Sequence, residues 1–249
     1  SPMITIRSAR DAVLAAVLVP ASLAAQYGSG REVTFTVRVE NVSTANTLKL
    51  SNGMAAPAPT APILWTITDE GNPLFEVGQA DRGQGLERLA EDGNPRVLAD
   101  FIPANVKSIA HHGVVTVPSG DKAAGPITPG KAYEFTVMAA PGQRLTLAMM
   151  FGQSNDLFYA PGDNAIALFD AKGQPLTTDI TSQLHLWDAG TEVNEEPGLG
   201  PNQAPRQAMP NAGTPEKGKI ALVKDQYRYP SIREVVRVSV KPSVATAAK

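Results

Sequence analysis

The sequence predicts an all-β protein: an antiparallel β-sandwich with a short helical insertion. Three observations lead there. Residues 32–42 alternate apolar and polar side chains, with Val33, Phe35, Val37 and Val39 on one face and Thr34, Thr36, Arg38 and Glu40 on the other, the mark of a half-buried strand. The 21 Gly and 21 Pro punctuate the chain into short segments joined by turns. Helical spacing of apolar residues shows only between Gln84 and Phe101.

Taken in order, the first strand is followed by a Pro-rich stretch and a shorter strand at Ile63–Thr68. Leu86, Leu89, Ala90, Val97, Leu98 and Phe101 then predict two short helical pieces, broken at Gly93 and Pro95. Strands resume at Gly113–Val117 and at Tyr133–Ala139, the latter with Tyr133, Phe135 and Val137 inward. Pro141-Gly142 reads as a tight connection that pairs this strand with Arg144–Phe151 as a hairpin. Ala165–Phe169 and Leu184–Trp187 are further strands, and Arg233–Val240 is the last. Between them, residues 196–218 form a long loop with five prolines, of the kind usually functional or mobile. There is no internal repeat, so one sandwich domain over residues 32–240 is expected, with a disordered tail at 241–249.

Residues 1–25 read as an address rather than as fold. Arg7 and Arg10 precede an apolar run from Ala12 to Val19 and small residues at Ala21, Ser22, Ala24 and Ala25. That is the order of a secretory signal peptide, with cleavage expected after Ala24 or Ala25. The run is shorter than the about 20 apolar residues that span a bilayer. The expected product is an exported protein, periplasmic or secreted, with no transmembrane span in the mature chain.

Composition removes several function classes. The net charge of -2 and the absence of a Lys/Arg cluster argue against a nucleic-acid partner. Cysteine is absent, which excludes disulfides, thiolate metal sites and cysteine nucleophiles. No Gly-rich phosphate loop, nucleophile elbow or zinc-protease helix occurs. The three histidines are His111, His112 and His185. Adjacent strand residues point to opposite faces, so His111 and His112 read as one exposed and one packed residue, and His185, between Leu184 and Leu186, as a packed strand residue.

Two acidic, carbonyl-rich loops carry the chemistry. One is Gln153-Ser154-Asn155-Asp156-Leu157-Phe158; the other is Trp187-Asp188-Ala189-Gly190-Thr191-Glu192, followed by Asn194, Glu195 and Glu196. Calcium takes six to eight hard oxygens, and loops at strand ends offer carboxylates together with backbone carbonyls no ladder uses. Asp-Ala-Gly-Thr is equally a common turn in which the Asp carboxylate caps nearby amides. The residues leave both readings open.

The same two loops resemble those of spondin-type domains: the Pro/Asn-Asp-aromatic loop and the Asp-Ala-Gly-Thr-acidic motif, in that order. Pro73-Leu74-Phe75-Glu76-Val77-Gly78-Gln79 with Leu89-Ala90-Glu91-Asp92-Gly93 looks like bacterial members of that family. The resemblance spans residues 32 to 240. It implies an eight-stranded antiparallel sandwich similar to calcium-and-lipid-binding modules. It also implies one calcium ion, held by two loop aspartates, Asp156 and Asp188, and by a glutamate on an upstream strand, for which Glu134 is the best match. Animal members carry cysteines and usually thrombospondin repeats, which are missing here, so their partners are not carried over.

The expected function is an exported calcium-binding module for binding or adhesion outside the cell or in its envelope, not an enzyme, with a protein, glycan or lipid headgroup as partner. Two other functions follow from the same residues: a structural envelope or matrix protein stapled by calcium, and a hydrolase using the acidic loops.

Overall fold

The computed structural model describes residues 30–243; the expected signal peptide, and the tail from 244 on, lie outside the described residues. In chain order the strands are β1 (Val33–Asn41), β2 (Leu48–Lys49), β3 (Ala55–Ala56), β4 (Ile63–Thr68), β5 (Ile109–Val115), β6 (Ala132–Ala139), β7 (Arg144–Met150), β8 (Leu157–Pro161), β9 (Ile166–Ala167), β10 (Thr178–Asp179), β11 (Leu184–Asp188), β12 (Ala221–Leu222) and β13 (Val236–Pro242). The helices are α1 (Leu86–Asp92), α2 (Arg96–Asn105) and the single-turn α3 (Ile232–Val235). Among the described residues no helix is long and apolar enough to cross a membrane.

The strands form the expected antiparallel sandwich. A smaller sheet has the order β10-β13-β1-β6, and a larger one runs β12-β11-β8-β7-β4-β5 with β9 added on β7. The apolar face of β1 meets the larger sheet: Phe35, Val37 and Val39 are wholly buried with Ile63, Ile67, Leu145, Leu147 and Tyr159. At the open edge Trp65 of β4 stacks on Phe135 of β6, ring centroids 6.0 Å apart and planes 17° from parallel. Gly113 on β5 leaves room for that indole, since a Cβ there would lie 2.8 Å from the Trp65 ring.

The helical insertion gives the molecule a third layer. Leu86, Leu89 and Ala90 of α1 and Leu98 and Ile102 of α2 cover the outer face of the larger sheet, against Leu64, Ala148, Phe158, Ala160 and Trp187. Strand β8 is therefore buried on both faces, with Leu157 and Tyr159 toward the other sheet and Phe158 and Ala160 toward the helices. Gly93 ends α1 in the left-handed conformation (φ 64°) that a C-cap glycine supplies without strain.

Several expectations are corrected. Tyr133–Ala139 and Arg144–Phe151 do not pair as a hairpin: β6 pairs with β1 and β7 with β4. The Pro141-Gly142 turn instead carries the chain from one sheet to the other, and a turn sequence alone does not say which edge the next strand joins. The fifth strand starts earlier than Gly113, at Ile109. The last strand starts later than Arg233, because Ser231 and Glu234 form a capping box that turns Ile232–Val235 into a helix. It also runs past residue 240 to Pro242, and Ser243 N–H donates to Thr34 O at 2.7 Å. His185 is exposed rather than packed, its ring against the edge of Trp187.

Asn41 locks the start of the sandwich. Its Nδ2 donates to Ala58 O (2.8 Å) and Ile127 O (3.0 Å), and its Oδ1 accepts from Ser43 N (3.0 Å), all buried. Asn41→Ala removes three buried hydrogen bonds and leaves Ser43 N without its acceptor, while Ile127 O still accepts from Thr60 N (3.1 Å) and Ala58 O from Ser43 Oγ (3.4 Å); each lost bond is worth roughly 0.5–1.5 kcal/mol. Urea unfolding should show a loss of at least about 2 kcal/mol with an unchanged m-value.

Candidate metal centre

The two loops singled out from the sequence meet at one end of the larger sheet because β8 and β11 are antiparallel neighbours, with Asp188 opposite Leu157. Before β8 the chain makes a tight loop held by its own side chain: Ser154 Oγ donates to Phe151 O (2.6 Å) and accepts from Leu157 N (3.2 Å). That loop delivers Asp156 to a wholly buried position.

One carboxylate oxygen of Asp156 is saturated. Oδ2 accepts from Thr191 N (2.8 Å), Thr191 Oγ1 (3.3 Å) and Glu192 N (3.1 Å). The other, Oδ1, is buried with no hydrogen-bond partner. Asp188 Oδ1 accepts from Gly190 N (2.7 Å) and its Oδ2 from Asn194 Nδ2 (2.6 Å). Asp-Ala-Gly-Thr is thus a true capped turn, and the carboxylate that caps it is also a candidate ligand.

The third carboxylate is Glu216. Carboxylate oxygens of Asp156, Asp188 and Glu216 lie within 4.8 Å of one another, the one such acidic group among the described residues. Glu134, the glutamate implied by the family resemblance, is not among them. It sits on β6 of the smaller sheet, exposed, where Arg38 Nη1 donates to its Oε2 at 3.3 Å. Its side chain does point away from Tyr133 and Val137, but that direction is the solvent face of the smaller sheet.

Glu216 reaches the centre because the long loop folds back. Val193 N donates to Thr214 O (2.8 Å), Glu216 N to Thr191 O (2.9 Å) and Gly218 N to Gly190 O (2.8 Å). Gly190 (φ 69°) and Gly218 touch backbone to backbone, and a Cβ on Gly190 would lie 2.7 Å from Gly218 C. The rest of the loop hangs on buried amides: Asn155 Oδ1 accepts from Glu195 N (3.0 Å), Gln203 Nε2 donates to Glu196 O (2.9 Å), and Arg206 Nη1 donates to Gln153 Oε1 (2.9 Å). Glu216 is the one acidic residue between Pro197 and Gly218, a signal the sequence did carry.

No Lys, Arg or His forms an ion pair with any of the three carboxylates among the described residues. Their pKa values rise accordingly. Burial, and then the charge of Asp188, push Asp156 up to about 7. Burial raises Asp188, and burial with the Asp188 charge raises Glu216. Nearby Glu91 on α1 is 1% exposed with neither carboxylate oxygen partnered, and burial pushes it up to about 8. A cavity of about 360 Å³ lined by Asp81, Glu87, Gly190, Thr191, Glu216 and Lys217 opens beside the cluster. The donor set is hard oxygen only, of the kind that suits hard divalent cations rather than soft metals.

Acid–base chemistry has less to work with. His185 and Asp188 lie on opposite faces of β11, since their separation along the strand is odd. His111 is taken up by Glu32, 2.5 Å away, and His112 is exposed. No protein-family model matches the chain, and no curated protein matches it significantly.

In the metal-free protein Asp156 keeps its proton to about pH 7 when folded but ionises near 3.8 when unfolded. Between those values the folded state binds more protons, so stability falls as pH rises, by at most about 1.4 kcal/mol per pH unit from this group. Asp156→Asn keeps an acceptor for the Thr191 and Glu192 amides and removes the charge. Thermal melts in chelator should show a shallower decline for the variant across that window and a higher melting temperature than wild type at its upper end.

Proposed function

We propose that this chain is a calcium-binding β-sandwich module, exported from the cytoplasm, that serves in binding or adhesion at the cell envelope or outside the cell. The observation that carries the reading is Asp156: a wholly buried carboxylate with one oxygen saturated by backbone donors and the other bare, facing two further carboxylates. Three clustered carboxylates without a basic partner repel one another, and a divalent cation offsets that repulsion while supplying the missing partner for Oδ1.

Calcium is favoured over magnesium by the irregular, mixed origin of the donors. They come from a loop, a strand end and a distant loop arm, a set that does not impose the near-ideal octahedron magnesium demands. Export, the proposed consequence of the charged–apolar–small order of residues 1–25, places the chain where calcium is abundant enough to fill a site of modest affinity. The spondin-type resemblance points the same way through Asp156 and Asp188, with Glu216 taking the role assigned to Glu134.

Three carboxylates supply fewer than the six to eight oxygens calcium takes. The cavity at Thr191 and Glu216 leaves an approach by which water or a partner's oxygen completes the shell. A binding role therefore fits better than hydrolysis, for which no histidine among the described residues faces the acids.

Calcium added to chelator-stripped protein should raise the melting temperature. A ligand that binds only the folded state adds about 2.7 kcal/mol at a hundredfold excess over Kd. Asp188→Asn should abolish the shift, Glu216→Gln should weaken it, and Glu134→Gln should leave it intact. No shift at millimolar calcium, or an equal shift in all three variants, refutes the metal reading.

A further inference from the structure

We propose that the helical insertion builds a second site, separate from the acidic cluster, that binds a neutral saccharide. The two sites lie toward opposite ends of β8: Asp156 precedes it, and Asp163 follows it at the rim of a cavity of about 590 Å³. That volume lies within the roughly 300–1,000 Å³ of small-molecule sites.

The cavity has a preformed floor. Asn72 N donates to Asp163 O (2.7 Å), Asn72 Nδ2 to Pro161 O (3.3 Å), and Leu74 N to Asn72 Oδ1 (2.9 Å). Gly71 is pressed so closely on this strut that a Cβ would lie 2.5 Å from Asp163 O. One wall is Gln84, 8% exposed, whose Nε2 is fixed on Leu74 O at 3.0 Å. Its Oε1 has no protein donor among the described residues and is not sealed from solvent, so this amide oxygen is open to whatever enters. On α2, Asn105 Nδ2 is spent on Phe101 O (2.7 Å), and Phe101 itself is half-buried in the lining.

The chemistry of the lining selects the ligand class. The walls carry planar polar groups, the amides of Gln84 and Asn105, the guanidinium of Arg82 and the carboxylates of Glu76 and Asp163, beside the ring of Phe101. Hydroxyl groups donate and accept at once, so a polyol can satisfy acceptors and donors on one wall while a ring face packs on Phe101. Among the described residues none of these carboxylates is held in an ion pair. With Glu70 they outnumber Arg82, and the surplus of negative charge repels phosphate, sulfate and uronate groups. A neutral sugar unit fits that balance.

The test is amide chemical-shift mapping of the full chain with maltotriose, cellotriose, mannobiose and diacetylchitobiose, beside a glucuronate oligomer, each raised to about 10 mM, above the millimolar Kd of a weak sugar site. The proposal expects at least one neutral probe to shift residues around 70–76, 82–84, 101–108 and 163, and to do so with calcium or with chelator. Gln84→Leu and the pair Arg82→Ala with Asp163→Ala should each weaken that binding by about tenfold or more. Asp188→Asn should not weaken it. Melting temperatures close to wild type show that the variants remain folded; a variant that melts early is replaced by Phe101→Ala, which must then show the same loss. Silence from every neutral probe, a preference for the glucuronate oligomer, or binding unchanged in the folded variants overturns the proposal.

Discussion

The buried carboxylate of Asp156 is the constraint on which this end of the molecule depends. Its Oδ2 collects the amides of Thr191 and Glu192, which fixes how the chain leaves β11. That exit sets Gly190 against Gly218 and lines up Thr191 with Glu216. A negative charge in this position is costly unless something opposes it, and the side chains brought nearest are themselves acids. The same hydrogen bonds that order the loop thus concentrate charge of one sign, and burial and repulsion raise Asp156, Asp188 and Glu216 together. A proton relieves that state, and so would a bound cation.

The surrounding polar groups are arranged so that little else is left unsatisfied. Gln203, fully buried, donates to Glu196 O and accepts from Gly198 N at 3.0 Å, and Glu192 Oε1 accepts from Gly213 N at 2.8 Å. These bonds turn a proline-rich stretch, read from its sequence as functional or mobile, into a well-ordered platform. Bare buried oxygens remain at Asp156, at Asp81 Oδ1 in the cavity beside the cluster and, beneath the helical layer, at Glu91. An amide network this complete gives the cluster a rigid frame, and a rigid frame is what makes the spacing of three carboxylates meaningful.

How far the sequence speaks for the fold can be read strand by strand. Strand β1 was legible because one face is solvent and the other core, so its alternation survives in the residues. Strand β8 was not: Leu157, Phe158, Tyr159 and Ala160 are all buried, and a segment covered on both faces has no period to detect. Its first residues read as part of a loop for that reason. The Pro141-Gly142 turn was located correctly, but its partner strands were not, because sheet membership depends on contacts far apart in sequence. The site divides in the same way. Asp156 and Asp188 stand in local motifs, whereas Glu216 enters only through loop closure over Gly190 and Gly218. Glu134 shows the limit of parity: alternation says that a side chain leaves the core, not which surface it reaches.

The helical insertion acts on both ends of the larger sheet. Spacing alone marks α1 and α2 as amphipathic, and a cover for the larger sheet is the obvious use of such helices. Yet covering that sheet is also what removes water from Phe158 and Trp187, and so from the start of β8 where Asp156 sits. It places Glu91 beside the acids as a further buried carboxyl group, and at the other end of β8 it leaves α2 standing away from the 69–72 turn with a cavity between. One structural addition therefore deepens the burial that raises the pKa of the acid cluster and walls the second cavity, so its packing bears on both ends of the sheet at once.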